Sequence, residues 1–248
     1  IALAHDCEAA GMAVDARITN SEGATLSTHR GVRVYGNSHG FLAGYPSASH
    51  SISCVLLAQD EGGMQRDYWY TASRVPGELD DLAQVGRRAG ERAVARLGAR
   101  QLSTRRAPVL FAADMARGFF GHLVSAVRGS SQYRRSSFLL DASGEQLLPA
   151  FVQMRERPHL RRALASSPFD AEGVTTRDRE LVKDGVLQGY VLGSYSARKL
   201  GLRTTGNAGG IHNLLVESSA GALSPAQMLR QLGTGLYVTE MMGQGVNG

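Results

Sequence analysis

The sequence predicts an α+β protein in which mostly antiparallel β-sheet is covered by a few packed helices. Apolar and polar residues alternate with a period of two in several runs between residues 32 and 70, which indicates strands. Glycines separate these runs, as in an antiparallel meander. Further along, Asp184-Gly185 lies between two apolar runs and is a strong signal for a two-residue hairpin turn.

Composition places the chain among ordinary globular proteins. It has 248 residues, of which 43% are hydrophobic and 20% charged, which excludes disorder and a fibrous fold. The longest apolar runs, such as 54–58, are far shorter than the ~20 residues that a membrane span needs. No basic-then-apolar leader opens the sequence, the first residue is Ile1, and the last residues directly follow a strand-like run. We therefore expect an internal piece of a cytoplasmic protein that does not enter a membrane.

Residues 1–106 are predicted to be the end of an N-terminal α/β region with a β-meander and an Arg-rich helix. Pro76-Gly77 separates the meander from that helix. The predicted elements are, in order, a helix over 1–12, a strand through Val32 and Val34, a strand with Ile52, Cys54 and Leu56 on one face, a strand with Met64, Tyr68 and Tyr70 on one face, and a helix from Glu78 to about Leu97.

The Arg-rich helix decides how the positive charge of the chain is interpreted. There are 27 Lys+Arg against 22 Asp+Glu, which gives +5 and a pI near 9.5 and favours a nucleic-acid partner. However, Arg88, Arg92 and Arg96 recur one turn apart on a helix whose opposite face is apolar. That pattern is typical of a solvated face, and no aromatic residues interleave with the arginines as single-strand binding would favour. Nucleic acid is therefore not the expected partner.

Cys7 and Cys54 are the two cysteines of the chain. Two cysteines are too few for a disulfide framework in a chain of this length, and both fall on apolar faces of predicted elements. We interpret them as packed, reduced thiols of a cytosolic protein.

Residues 107–248 are predicted to form a C-terminal β-rich domain that is truncated at its end. A short strand over 108–112 is followed by a helix in which Asp114 is the expected N-cap. Gly118 and Gly121 lie inside this helix, where each costs about 1 kcal/mol relative to alanine. We therefore expect close packing, or the functional approach of another group, at these two glycines.

The later elements of this domain have clear turn and cap signals. No internal repeat or low-complexity linker interrupts them. They are, in order, a hairpin with strands 178–183 and 186–192, a helix over Ser196–Leu200 with Gly201 as its C′ residue, a flexible glycine-rich loop over 206–210, a helix from the N-cap Ser224 to about Leu232, and a strand over 235–239 before the glycines of 243–245.

Common chemical motifs are absent from the sequence. There is no His-Glu-x-x-His zinc motif, no Cys-x-x-Cys pair, no Gly-x-Ser-x-Gly elbow and no phosphate-binding loop. The remaining polar candidates each have a structural interpretation beside a functional one, as turn caps, arginine partners or hydrogen-bonded groups. They are His39 in a predicted turn, Asp170 and Glu172 in a loop, and His212 after the loop that contains Gly209 and Gly210.

Five ordered segments spread over nearly the whole chain resemble one known family. They are Gly31–Tyr45 with Gly-Asn-Ser-His-Gly, Gly118–Gly129 with Phe-Phe-Gly-His-Leu-Val, Ser167–Gly173 with Ser-Pro-Phe-Asp-Ala-Glu-Gly, Tyr195–Asn213, and Gly233–Gly245. In these segments the sequence resembles the PmbA (TldE) proteins of the TldD/PmbA metallopeptidase superfamily, which have also been named modulators of DNA gyrase. The resemblance implies a TldD/PmbA-like fold and a cytoplasmic protein. It also implies pairing with a TldD-type metallopeptidase that acts on peptides or unfolded segments.

The same resemblance identifies a departure from the catalytic members of the family. Those members carry His-Glu-x-x-x-His on the central helix and a later cysteine as a further zinc ligand. The matching stretch here begins with Arg117 and Gly118 and retains only Gly121-His122. A permanent cation at Arg117 repels Zn²⁺, and Gly118 offers no carboxylate to take a proton from metal-bound water. We therefore expect no catalytic residue and no metal in this chain, with zinc held by the TldD-type partner.

A structural role in substrate binding is the expected contribution of such a chain. Extended peptides bind by adding a strand to an exposed sheet edge, with backbone hydrogen bonds that tolerate different sequences. We expect this along the hairpin 178–192 and the glycine-rich segments 206–210 and 243–245. The candidate substrate or partner residues are His39, Asp170, Glu172, His212, Gly209 and Gly210.

Two alternatives remain open from the sequence. The chain is a peptidase on its own, with zinc held by a set such as His122, His212 and Asp170, or it is a regulatory protein that acts on DNA gyrase or nucleic acid through its basic surface. Zinc analysis of the isolated protein tests the first alternative. A salt-sensitive affinity for DNA without any partner would favour the second.

Overall fold

The computed structural model describes residues 1–241 and divides the chain into two compact units. The first unit contains Ile1–Ser103 and the short segment Arg162–Leu164, and the second contains Thr104–Arg161 and the chain from Ala165 onward. Helices and antiparallel sheets occur in both units, so the predicted α+β class is confirmed. Among the described residues, no helix combines the length and the apolar character needed to cross a membrane.

A three-stranded antiparallel sheet forms the frame of the first unit. Its strands β1 (Ile18–Gly36), β2 (Leu42–Asp60) and β3 (Gly63–Ser73) neighbour one another in chain order, which confirms the predicted meander. β1 and β2 each span 19 residues, whereas β3 spans 11 and pairs only with His50–Asp60. The outer halves of β1 and β2 therefore continue beyond β3 as a two-stranded ribbon.

One face of this sheet is buried under two helices, α1 (Ala2–Met12) and α2 (Leu82–Ala95). Ile52, Cys54 and Leu56 lie on that face and are fully buried, because alternate residues of a strand point to the same side. The period-two pattern in the sequence therefore identified the core of the first unit correctly.

The face predicted on β3 exists, but it is the exposed face of the strand. Met64, Tyr68 and Tyr70 are between 40% and 57% exposed. The opposite side of β3 packs against the core with the half-buried Trp69 and the buried Asp67. A carboxylate at an inward position made the true core face look polar in the sequence.

Helix α2 begins at Leu82, and the predicted start at Glu78 is wrong. Asp81 is the N-cap, since its carboxylate accepts a hydrogen bond from the backbone N–H of Gln84 at 2.8 Å. The preceding residues Pro76–Glu78 form a separate 3-10 turn, so they do not belong to the helix.

The sequence predicted that the arginines of α2 form a solvated face, but in the structure they make specific contacts. The guanidinium group of Arg88 lies 3.9 Å from the centre of the Trp69 ring, and that of Arg92 lies 5.3 Å from it. Arg92 Nε and Arg96 Nη1 lie 3.2 and 3.4 Å from the carboxylate oxygens of Asp67, whose side chain is 6% exposed. Because an aromatic ring and a buried carboxylate engage these arginines, the stripe packs helix against sheet within the first unit.

Cys7 and Cys54 meet in the core between α1 and β2. Both are free and fully buried, which confirms that they are packed thiols. The hydrogen bond between the two thiols lowers the pKa of Cys7 and, together with burial, raises the pKa of Cys54. Their meeting had no signal in the sequence, because nothing local pairs a helix face with one position of a distant strand.

A four-stranded antiparallel sheet forms the frame of the second unit. Its spatial order is β7 (Val186–Leu187), β6 (Arg179–Lys183), β5 (Val152–Glu156) and β8 (Leu214–Ser218). The helix α3 (Ala113–Ala126) packs on it, and the shared core contains Met154, Leu181, Val182, Leu187, Val124 and Val127.

The Asp184-Gly185 turn joins β6 to β7 as predicted. The two residues have φ angles of 51° and 76°, and a type I′ turn requires positive values at both. The second strand is shorter than predicted and ends at Leu187. Beyond Leu187 the chain turns away from β6, and by Val191 its N–H bonds to the carbonyl of Val127 at 3.0 Å.

Two further strands pair in parallel, β4 (Val109–Phe111) with β9 (Leu236–Val238), unlike the antiparallel pairs of the two larger sheets. Helix α3 follows β4 directly, and its N-cap is Ala112, so that Asp114 lies in the first turn and not at the predicted cap position. The remaining helices of the second unit are α4 (Gly129–Tyr133), α5 (Ser194–Lys199) and α6 (Pro225–Leu232).

The predicted C′ glycine of α5 and the predicted N-cap of α6 are confirmed, whereas α5 begins at Ser194 and not at the predicted Ser196. Gly201 has a φ of 67° just after α5, which is the left-handed conformation of a C′ glycine. Ser224 caps α6, and Gln227 completes a capping box by accepting a hydrogen bond from the N–H of Ser224 at 2.7 Å.

Candidate functional site

Helix α3 carries the three positions at which the sequence departs from a zinc motif. Arg117 is exposed, whereas Gly118 and His122 are half-buried. At about 100° per residue, Gly118 and His122 share one helix face, and Arg117 lies about 140° around the axis from His122. The helix therefore offers one imidazole on that face, one turn after a position that has no side chain.

These residues do not fit a zinc ion. A catalytic zinc needs about three protein ligands, and within residues 1–241 no three His, Cys, Asp or Glu side chains lie close enough together to hold a metal. Gly118 has no donor atom, and the guanidinium group of Arg117 has no lone pair to give. The alternative zinc set of His122, His212 and Asp170 is wrong, since those three side chains are not gathered at one place.

Gly121 does not have the close packing that the sequence suggested. Among residues 1–241, a Cβ atom added at Gly121 would meet no other group within 4 Å. Packing between helices therefore does not explain this glycine, and Gly121→Ala is available as a mild variant of the helix.

Asp170 ties two loops of the second unit together. It is 2% exposed, and its Oδ1 accepts hydrogen bonds from the N–H groups of Glu172 and Val174 at 2.8 and 3.0 Å. Its Oδ2 accepts from the N–H of Ala208 at 2.9 Å, and the carbonyl of Ala208 accepts from the N–H of Ala171 at 3.0 Å. Of its two sequence interpretations, the structure supports a loop anchor, because both carboxylate oxygens are already in use.

Glu172 has a separate role from Asp170. Its Oε2 accepts a hydrogen bond from the N–H of Ser194 at 2.8 Å, which places a carboxylate at the start of α5. The two acidic residues thus face different partners and do not form a shared cation site.

Glu156 is the centre of a buried polar network that the sequence did not single out. It is 1% exposed, and its Oε1 accepts from Asn207 Nδ2 at 2.6 Å and from the backbone N–H and Nδ1 of His212 at 2.7 and 3.1 Å. Its Oε2 accepts from Arg179 Nε at 2.8 Å. Burial alone would raise the pKa of Glu156, but the hydrogen bonds from His212 and Arg179 outweigh it and hold this pKa below its ordinary value.

One signal for this network was present in the sequence. Glu156 shares the inward face of β5 with Met154, and a charged residue at an inward strand position requires a partner. The partner, Arg179, is directly opposite Glu156 in the β5–β6 register, which only the folded sheet reveals. His212, a sequence candidate, is held by this network and is therefore a hydrogen-bonded structural group here.

The glycine-rich loop 206–210 is not the flexible loop that the sequence predicted. Asn207 is 5% exposed, its N–H bonds to the carbonyl of Leu192 at 3.3 Å, and its side-chain amide donates to Glu156 and to the carbonyl of Gly210. Gly206 has a φ of 73°, and a Cβ there would lie 2.8 Å from the carbonyl oxygen of Thr175. Close contacts, and not a need for mobility, account for the small residues of this loop.

A pocket of about 330 Å³ opens beside this loop in the second unit. Glu172 and Gly209 line it, whereas Asp170 and His212 support the surrounding loops without lining the pocket. Gly210 adjoins it through Arg128, whose Nη2 would lie 3.3 Å from a Cβ at that position. The other lining residues are Arg128, Gly129, Ser130, Tyr133, Val191, Gly193, Tyr195, Ser196, Asn207 and Ala208.

The two edges of the four-stranded sheet differ in whether an extended peptide could pair with them. The predicted edge along the hairpin 178–192 is already covered, because Leu187 exchanges hydrogen bonds of 2.8 and 2.9 Å with Gly144 and Glu145. At the other end of the sheet, β8 pairs only with β5 among the described residues, and Leu215 and Val216 are exposed. The edge open to an added strand is therefore β8.

His39 belongs to the first unit, whereas the other candidate residues belong to the second. It is exposed in the turn between β1 and β2, where the side chain of Asn37 accepts hydrogen bonds from the N–H groups of His39 and Phe41 at 3.0 and 3.3 Å. Asn37 stabilises the turn, so His39 is not needed for that purpose. The predicted glycine-rich segment 243–245 lies outside the described residues.

Comparisons with known proteins assign both parts of the chain to one family. Residues 1–97 match the PmbA/TldA metallopeptidase central domain, and residues 104–248 match the PmbA/TldA metallopeptidase C-terminal domain. The chain is 51% identical to the Metalloprotease PmbA of Escherichia coli O157:H7, over 100% of this chain and 54% of that protein. It therefore spans about half the length of these curated relatives.

Solved structures share the fold. A candidate modulator of DNA gyrase from Bacteroides thetaiotaomicron VPI-5482 superposes with a TM-score of 0.90 and 25% identity, over 98% of this chain and 54% of that chain. TldE from Thermococcus kodakarensis superposes with a TM-score of 0.81 and 20% identity, over 96% of this chain and 55% of that chain. The predicted TldD/PmbA-like fold is thereby confirmed.

Proposed function

The chain belongs to the PmbA/TldA metallopeptidase family, and we propose that its protein is the subunit of a cytoplasmic TldD/TldE-type peptidase that binds peptide without cleaving it. In this proposal a TldD-type partner holds the zinc and hydrolyses peptides or unfolded segments. This chain completes the assembly and holds the substrate.

The observation that carries the proposal is the composition of helix α3. Zinc hydrolysis requires metal ligands and a carboxylate that takes a proton from the bound water. At the positions that the resemblance assigns to the first ligand and the base, α3 has Arg117 and Gly118, and His122 has no two companion ligands among the described residues. Within the described residues, the fold of the family therefore occurs without three gathered donor side chains, which supports a subunit that does not itself hold the zinc.

Sheet geometry supports peptide binding. Strand β8 has an outer edge that no described strand covers, and backbone groups at such an edge can pair with an extended peptide. Backbone pairing does not depend on side-chain sequence, so this mode suits unfolded segments of varied sequence.

An uncovered apolar patch on the first unit supports a protein partner. Val32, Val34 and Leu42 are 72%, 65% and 77% exposed on the ribbon that extends beyond β3. They lie on one face, since Val34 is opposite Gly44 and Leu42 is opposite Gly36 in the register. This face continues the buried core face of the sheet past the two helices, so a partner subunit would cover it as the helices cover the rest.

The central test compares the full-length protein, a TldD-type partner, and the two together. We expect zinc and metal-dependent cleavage of an unfolded peptide with the pair, and neither with the full-length protein alone. Zinc content is measured by elemental analysis and cleavage by mass spectrometry. One zinc per chain and metal-dependent cleavage by the isolated protein would refute the proposal.

The apolar patch of Val32, Val34 and Leu42 is tested as a binding surface for the partner subunit with Val34→Asp. A carboxylate in an apolar interface loses its hydration, so we expect the dissociation constant for the partner to rise about tenfold or more. Met64→Asp is the matched control, because Met64 is also an exposed apolar strand residue, at 57%, but lies outside the patch. Equal partner affinity of the two variants, measured by interferometry, would place the interface elsewhere.

A further inference from the structure

The pocket of the second unit is lined by hydrogen-bond donors that lack acceptors within residues 1–241. The guanidinium group of Arg128 and the hydroxyl groups of Ser130, Tyr133 and Tyr195 have no hydrogen-bond partner among the described residues. Such groups normally bond to water at a surface, and a ligand that accepts several hydrogen bonds can replace that water. The pocket is therefore suited to an acceptor-rich ligand.

Arg128 is held in place by the backbone around it. The N–H of Gly129 bonds to the carbonyl of Val191 at 2.9 Å, and the N–H of Val191 bonds to the carbonyl of Val127 at 3.0 Å. These two bonds form a short parallel bridge between Arg128 and Val191. The base of the Arg128 side chain is thus fixed before any ligand arrives, which lowers the cost of binding.

The glycine at position 210 makes room for the guanidinium group. A Cβ at Gly210 would lie 3.3 Å from Arg128 Nη2, and the φ of 134° at this position disfavours any side chain. Two aromatic rings also line the pocket, since Tyr133 and Tyr195 pack edge to face with centroids 5.6 Å apart. A charged group and an apolar wall therefore lie in one pocket.

Charge around the pocket favours an anion. The guanidinium carbon of Arg134 lies 5.6 Å from the Tyr133 ring centre and Lys199 Nζ lies 5.8 Å from that of Tyr195, so two further cations are close to the tyrosines that line the pocket. The one carboxylate in the lining, Glu172, already accepts a hydrogen bond from the N–H of Ser194. A planar carboxylate matches the two parallel donors of a guanidinium group better than other anions of peptides do.

We propose that this pocket binds the free C-terminal carboxylate of a peptide, with Arg128 pairing to the carboxylate and the tyrosine pair packing against the last side chain. The proposal rests on the proposed function in that it takes peptides as the substrate class. A pocket of about 330 Å³ has room for a terminal residue with its carboxylate. It would fix one end of an extended peptide while the remainder stays free to pair with a sheet edge.

The test measures binding of fluorescent unfolded peptides to the full-length protein by anisotropy, without cleavage. We expect the C-terminal amide of a peptide to bind about tenfold or more weakly than its free acid. Arg128→Gln should weaken binding of the acid by a similar factor and remove the preference for acid over amide. Arg177→Gln, which removes another exposed arginine of the second unit, should leave both affinities unchanged. Unchanged thermal unfolding shows that Arg128→Gln still folds.

A second pair of peptides separates the two sources of a carboxylate. Amidated peptides that end in aspartate or in asparagine should bind equally weakly if the main-chain carboxylate is recognised. Arg128-dependent binding of the aspartate peptide at the strength of a free acid would instead assign the pocket to acidic side chains and overturn the proposal. Equal affinities of acid and amide for the unaltered protein would also overturn it. The binding measurements do not involve hydrolysis. If the paired assembly shows no peptidase activity, that result counts against the proposed function, and the expected peptide affinities of the pocket stay the same.

Discussion

Replacing Glu156 with glutamine is expected to destabilise the second unit by about 3 kcal/mol at neutral pH. The carboxylate is 1% exposed and bonds to Arg179, so its removal leaves a largely buried guanidinium group without its counter-charge. Glutamine keeps the shape of the side chain but turns one acceptor oxygen into a donor that faces Arg179 or His212. Denaturant unfolding followed by circular dichroism measures the loss.

The pH dependence of this loss has a definite sign. Because the pKa of Glu156 is lowered in the folded state, its contribution to stability is complete above the unfolded value of about 4.3. That contribution disappears as pH falls through the folded pKa, so the difference between the wild type and Glu156→Gln should shrink below about pH 4. Glu217→Gln is the control, because Glu217 is 50% exposed and pairs with Arg155 at 3.3 Å, so that its loss should cost less than about 1 kcal/mol. Similar losses for the two variants would contradict the assigned network.

Gly86→Ala is expected to destabilise the first unit by about 3 kcal/mol, although alanine is the better helix former. A Cβ at Gly86 would lie 1.8 Å from the carbonyl oxygen of Cys7, a backbone atom of α1 that cannot turn away. The contact is mutual, since a Cβ at Gly11 would lie 2.6 Å from the carbonyl oxygen of Gly86. The two helices would have to separate, which opens the core above β2.

Gly121→Ala supplies the control for this effect. Gly121 is also inside a helix, but a Cβ there meets no described atom within 4 Å, so the substitution should stabilise the second unit by up to about 1 kcal/mol. Thermal unfolding of both variants in the full-length protein is the measurement. If Gly86→Ala proved neutral or stabilising, the close crossing of α1 and α2 would be wrong.

Local signals were sufficient for most of the secondary structure. The period-two runs identified β1 to β3, and the inward set Ile52, Cys54 and Leu56 is the observed core face. Asp184-Gly185 makes the predicted turn, and Ser224 makes the predicted cap. These features depend on residues within a few positions of one another, so their chemistry is visible in the chain itself. The predicted start of α2 was four residues early, because Glu78 belongs to the 3-10 turn Pro76–Glu78 and the N-cap of the helix is Asp81.

The candidate site was less accessible from the sequence. Glu172, Gly209 and Gly210 were named, and they lie at or beside one pocket, but Arg128, Tyr133 and Tyr195 were not. Arg128 and Tyr195 fall inside segments that resemble the family, and Tyr133 does not, but nothing local indicated a site at any of the three, because an arginine and two tyrosines become a site only when separate helices and loops bring them together. Asp170 and His212 were named as candidates and proved to be held by structural hydrogen bonds.

The sequence by itself determined the fold class, the family resemblance and the lack of metal-donor side chains at Arg117 and Gly118, since each depends on residue identity at ordered positions. Only the tertiary structure decided which charges are paired. Asp67 forms ion pairs with arginines of α2, and Glu156 forms one with Arg179, and in each pair the two residues are distant in the chain. The physical reason is that burial and partnership arise between elements: the energy of a charge depends on what surrounds it after folding, and a residue type does not carry that information.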